Sequence, residues 1–104
     1  METYSKDVFV FIEQNNGKPA DVSFELLSKG RKLADKLNGN LKSIVIGYNV
    51  EEIAKETFQY GCDECLLIDH PDLKFYRTLP YSNILSEIIL THKPRIVLFG
   101  ATII

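Results

Sequence analysis

The chain has 104 residues, enough for one small domain and too few for two. An apolar share of 45%, a charged share of 25% and a formal net charge of −2 are ordinary for a globular chain. They exclude the basic stripe of a nucleic-acid module, and no apolar run approaches the ~20 residues that cross a bilayer.

The start, Met1-Glu2-Thr3-Tyr4-Ser5-Lys6-Asp7, is polar and matches neither a signal peptide nor an Arg-rich transit peptide. Two cysteines without any other staple fit a reducing compartment, so a cytoplasmic location is expected. Residues 8–12 form the first of four short apolar runs, the others being 43–47, 65–68 and 95–99. None alternates with polar residues, the pattern of parallel strands covered on both faces. Between the first two runs, Gln14-Asn15-Asn16-Gly17-Lys18-Pro19 is turn chemistry and needs no ligand to explain it.

A helical stripe follows at Leu26, Leu27, Gly30, Leu33, Ala34 and Leu37. Asp21 or Ser23 is the expected cap, Gly39 the expected left-handed stop, and Gly30 implies close packing on the sheet. The basic residues here, Lys29, Arg31, Lys32 and Lys36, alternate with Asp35 as on a solvated face. A second helix is predicted from Asn49, with Glu52 as capping-box partner, burying Val50, Ile53, Ala54 and Phe58 and ending at Gly61. The third carries Tyr81, Ile84, Leu85, Ile88, Ile89 and His92, with Pro80 in its first turn and Lys93-Pro94 closing it.

The order β-α-β-α-β-α-β with right-handed crossovers predicts a doubly wound parallel sheet in a three-layer α/β/α arrangement. Chain-ordered strands are expected as 3-2-1-4. The chain stops at Gly100-Ala101-Thr102-Ile103-Ile104, where a further helix is expected. We therefore read 1–104 as a domain incomplete at its C-terminal end. Its uncovered apolar face would favour self-association.

Chemistry-bearing groups are sparse. Cys62-Asp63-Glu64-Cys65 has dithiol spacing, but it follows a helix end, where no dipole favours a thiolate. Both cysteines are expected to be structural. Glu13, Asp69 and Thr102 fall after predicted strands, where open α/β sheets bind ligands. A phospho-acceptor receiver domain uses comparable positions, but it has paired acids after its first strand and a fifth-strand lysine that this chain lacks. His70 and His92 have no partner at metal spacing, so no metal site is expected. No phosphate-binding glycine motif or Ser-His-Asp arrangement occurs, so no catalytic residue is assigned.

The last third has a more specific pattern. Leu67-Ile68-Asp69-His70-Pro71-Asp72-Leu73, Tyr76, Leu79-Pro80-Tyr81 and Lys93-Pro94-Arg95-Ile96-Val97-Leu98-Phe99-Gly100-Ala101-Thr102 resemble the N-terminal domain of the electron transfer flavoprotein alpha subunit family. Phe11-Ile12-Glu13 and Ser23-Phe24-Glu25-Leu26-Leu27 fit the same pattern. The resemblance implies an adenine nucleotide alpha hydrolase-like fold and a non-catalytic scaffold that packs on the beta subunit. It places FAD in a C-terminal domain beyond this chain, so none is expected here. The full complex would serve acyl-CoA or related dehydrogenases, with chemistry supplied by the flavin. The alternative is a free-standing nucleotide-binding domain, in which the Gly100-Ala101-Thr102 turn approaches a phosphate.

Overall fold

The computed structural model describes residues 4–15, 17–74 and 78–100. Tyr76, Ala101 and Thr102 lie outside them. The elements are β1 (Val8–Phe11), β2 (Gln14–Asn15), β3 (Lys18–Pro19), α1 (Asp21–Leu37), β4 (Leu41–Gly47), α2 (Glu51–Thr57), β5 (Glu64–Asp69), α3 (Thr78–His92) and β6 (Ile96–Leu98). Short 3-10 turns, Phe58–Tyr60 and Pro71–Leu73, follow α2 and β5.

The main sheet is parallel in the order β5-β4-β1-β6, which is the predicted 3-2-1-4 counted over the four long strands. Even-numbered β1 residues Val8 and Val10, with Ile12 beyond them, pack under α1 and α2. Phe9 and Phe11 face α3 with Ile44 and Ile46. This is period-two alternation with apolar residues on both sides, because each face carries its own helical layer.

Uniform burial holds only for the central strands. All of β1 is buried and β4 nearly so, whereas β5 and β6 are edge strands with partly exposed residues such as Leu67. The 14–19 turn also contains more structure than its composition implies. Gln14 and Asn15 pair antiparallel with Pro19 and Lys18, and Gly17 turns at φ 80°.

Several local expectations are corrected. The residue before α1 is Ala20, with no side-chain cap; the Ser23 hydroxyl instead accepts from the Glu13 amide at 2.9 Å. The left-handed stop is Asn38 (φ 57°), not Gly39. Gly39 is there for space: a Cβ would lie 1.8 Å from the Lys6 carbonyl oxygen. Helix α2 starts one residue after Val50, and Asn49 is left-handed (φ 57°) rather than a cap. Phe58 is exposed, and Thr57 takes the buried position. The Gly30 expectation is met, since a Cβ there would crowd Leu41 at 2.8 Å and Val10 at 3.1 Å.

Acids at the amino-terminal edge of the sheet are all bonded. Asp7 accepts from the Asn40 amide and lies 3.5 Å from the Lys42 ammonium, which also pairs with Glu64 at 3.0 Å. Asp63 accepts from the Leu41 amide at 2.8 Å and from Arg31 at 2.9 Å. The Leu41 amide, then the Arg31 guanidinium, holds the Asp63 carboxyl below the ordinary carboxylate range.

Two measurements check this packing. Gly39→Ala should destabilise the fold by about 1–3 kcal/mol through backbone overlap, read from urea unfolding. Because the folded pKa of Asp63 is depressed, its ionic stabilisation is full above the unfolded value of about 3.9 and lost as pH falls through the folded value. The stability gap between wild type and Asp63→Asn should therefore be present at neutral pH and close on acidification below that range.

Candidate functional site

A doubly wound sheet places its ligand crevice at the carboxyl ends of the strands, where the chain reverses direction across the sheet. Here β1 leads through α1 to β4 on one side, while β6 returns to the other side of β1. Glu13 follows β1 and Gly100 follows β6, so these residues flank the crevice.

Glu13 is 6% exposed, and its Oε2 is buried without a hydrogen-bond partner among the described residues. Its backbone is fully engaged, the amide on Ser23 Oγ and the carbonyl accepting from the Ala20 amide at 2.8 Å. A Cβ on Gly100 would stand 2.6 Å from Glu13 Oε1 and 2.9 Å from Val22 Cγ1. Gly100 therefore leaves room for a carboxylate. Gly100, expected to approach a phosphate in the alternative reading, is thus packed against the Glu13 side chain. Ala101 and Thr102, the other members of that turn, lie outside the described residues.

Asp69 ends β5 and is committed to structure. Its Oδ1 accepts from the Asn49 amide at 2.9 Å and its Oδ2 from the Val50 amide at 3.0 Å. Those are free donors at the start of α2, which has no side-chain cap of its own. An acceptor far along the sequence replaces the local cap expected at Asn49. Glu13 and Asp69 thus share an edge of the sheet but form no joint acidic site, since Asp69 is spent on amides of the β4–α2 turn.

Beside Asp69 the hairpin and the β4–α2 turn enclose a cleft of ≈ 250 Å³ lined by Gln14, Gly17, Tyr48, Asn49 and Lys74. The Gln14 amide is fixed at both ends, donating to the Ile46 carbonyl at 3.1 Å and accepting from the Gly17 amide at 2.9 Å. Sequence reading missed this wall because it treated 14–19 as a turn alone. Gln14 next to a Gly-containing turn was the available signal.

The remaining candidates are structural. His70 Nδ1 accepts from the Asp72 amide at 3.1 Å, capping the Pro71–Leu73 turn, and the His92 ring lies 5.8 Å from that of Phe9. Both cysteines are free thiols, Cys62 buried and Cys65 partly so. Burial pushes both thiols up, against a smaller pull from Ser43 and Thr57, whose hydroxyls lie 2.9 Å apart in the same polar pocket. Among the described residues no three His, Cys, Asp or Glu side chains gather as metal ligands, and no helix is long and apolar enough to cross a membrane.

Comparison with known proteins follows the same lines. The electron transfer flavoprotein domain family matches residues 8–104. Acryloyl-CoA reductase electron transfer subunit beta of Anaerotignum propionicum is 48% identical over 97 residues, covering 93% of this chain and 26% of the relative. Electron transfer flavoprotein subunit alpha of Thermoanaerobacterium thermosaccharolyticum is 41% identical over 99 residues, 95% of this chain and 30% of that protein. Protein FixB of Azorhizobium caulinodans is 45% identical over 100 residues, 93% and 27% respectively. The chain thus spans less than a third of the relatives it matches.

Two substitutions test the assignments at this edge. Asp69→Ala should cost about 1–2 kcal/mol by freeing two amides at the start of α2, read by chemical denaturation. Ultraviolet titration should place both thiols above the ordinary value of about 8.5, with no reactive thiolate at neutral pH.

Proposed function

The chain belongs to the electron transfer flavoprotein domain family, and from that premise we propose that it serves as the N-terminal α/β domain of an alpha-type subunit. Its role is electron transfer by support: it packs on a beta-type subunit and helps hold a flavin-bearing domain in place. The family match over residues 8–104 carries this reading. Names of the relatives, an electron transfer subunit and an electron transfer flavoprotein subunit, support it from sequence. FAD would belong to the part of the subunit outside these residues, and acyl-CoA or related dehydrogenases would be served by the whole complex.

The physical chemistry of the chain agrees with a supporting role. Its hydrogen-bonding acids at the amino-terminal edge, and Asp69 at the other, are engaged in holding strands and helices. The third helix is apolar around much of its circumference: Tyr81 is buried in the core while Leu90 is 73% exposed. An outward Leu of that size gains by burial against a neighbour, roughly 1.5–3 kcal/mol when complete.

The test is co-expression with a beta-type subunit from the same organism. We expect the two chains to co-purify and the 104-residue chain alone to be colourless, without oxidised-flavin absorbance. A stoichiometric flavin retained by the lone chain after desalting would overturn the placement of FAD. Failure to co-purify from a folded chain would overturn the docking role.

A further inference from the structure

We propose that the cleft between the β2–β3 hairpin and the β4–α2 turn is a binding site for a small organic oxyanion, a phosphate monoester or a carboxylate. The docking role does not depend on it, so the two readings stand or fall separately.

The cleft is assembled from three strand ends. Gln14 and Gly17 come from the hairpin after β1, Tyr48 and Asn49 from the turn after β4, and Lys74 from the turn after β5. The carboxyl ends of the strands are where open α/β sheets take their ligands. Solvent reaches this cavity directly: Gly17, Tyr48, Asn49 and Lys74 are exposed, and Gln14 is half-buried.

Its walls are held in place without a ligand. The Gln14 carboxamide is fixed between the Ile46 carbonyl at 3.1 Å and the Gly17 amide at 2.9 Å. It has room at the end of β4 because Gly47 has no side chain. A Cβ there would stand 2.6 Å from Gln14 Nε2 and 2.9 Å from Val50 Cγ1. Asn49 is left-handed (φ 57°), with its amide donating to Asp69 Oδ1. A site fixed beforehand loses little freedom on binding.

The lining selects the ligand. Gln14 Nε2 carries a second hydrogen beyond the one given to Ile46; Asn49 brings a carboxamide, Tyr48 a phenol and Lys74 an ammonium. Several donors with one cation suit the oxygens of an oxyanion, and the ammonium disfavours a metal ion. The Asp69 carboxylate beside the cleft is already shared between the Asn49 and Val50 amides. Size sets a second limit. At ≈ 250 Å³ the cleft is below the ~300–1,000 Å³ of sites for drug-sized ligands, which excludes a flavin dinucleotide and admits one oxyanion on a small body. The Tyr48 ring, 38% exposed, offers that body an apolar face.

The experiment titrates the isotope-labelled protein with phenyl phosphate, benzoate and the neutral benzamide, following the amide signals of Gly17, Tyr48 and Asn49 by NMR. We expect saturable shifts at these amides with at least one anion, and about tenfold weaker binding of benzamide. Tighter binding of phenyl phosphate assigns a phosphate ester and tighter binding of benzoate a carboxylate; either supports the site. Lys74→Gln and Tyr48→Phe, each with an unchanged amide spectrum away from the cleft, should weaken the anion several-fold. Lys29→Gln on α1 should leave its affinity unchanged. No saturable shift with either anion, benzamide bound as tightly as both, or full affinity in folded Lys74→Gln would overturn the proposal. An equal loss in Lys29→Gln would also overturn it, by showing a general effect of charge.

Discussion

Burial of β1 and β4 on both faces is the constraint from which the rest of the molecule follows. Val8 through Ile12 and Ile44 through Ile46 are all but removed from water, with α1 and α2 on one side and α3 on the other. A strand in that position cannot carry a polar side chain unless the group is bonded in place, as Ser43 is to Thr57 at 2.9 Å. Polar function is therefore driven to the strand ends. Within the sheet, the strand ends are where charged side chains find room.

Those edges are used differently. At the amino-terminal end Lys42 bridges Asp7 and Glu64, and Arg31 bridges Asp35 and Asp63, tying strands and α1 together. Surface pairs of this kind contribute little individually, but the backbone amides of Asn40 and Leu41 that share the same carboxylates fix where β4 begins. At the carboxyl end Asp69 fixes where α2 begins by the same device. Glu13 departs from this rule. It lies at the reversal of strand order, beside a glycine that leaves it room, and its Oε2 has no hydrogen-bond partner among the described residues.

The strand order and the layers were legible because they depend on patterns that short windows contain. Unalternating runs such as Val8-Phe9-Val10-Phe11 mark strands covered on both sides, and the Leu26 to Leu37 stripe marks a helix with one buried face. Gly30 was legible for the same reason: a glycine within an apolar stripe announces close approach, here to Leu41 and Val10. Caps were misread because local chemistry competes with distant partners. Ser23 resembles a helix cap, yet its hydroxyl serves the Glu13 amide ten residues away in the chain. Asn49 resembles a cap as well, but Asp69, paired in register with Gly47, supplies the acceptor.

By itself the sequence determined the parallel α/β class, the 3-2-1-4 order and the family, since periodicity, handed crossovers and a run such as Lys93-Pro94-Arg95-Ile96-Val97-Leu98-Phe99-Gly100 are properties of contiguous residues. Tertiary structure alone decided which of the strand-end acids is spent on the amides of a helix start. Glu13 and Asp69 look alike in sequence, each an acid closing an apolar strand. One meets two amides at the turn after β4; the other meets a bare glycine carried in by β6 from the far end of the chain. Whether a buried carboxylate finds a donor depends on what lies within about 3 Å of it in space, and that distance is set by packing between strands, not by neighbours along the chain.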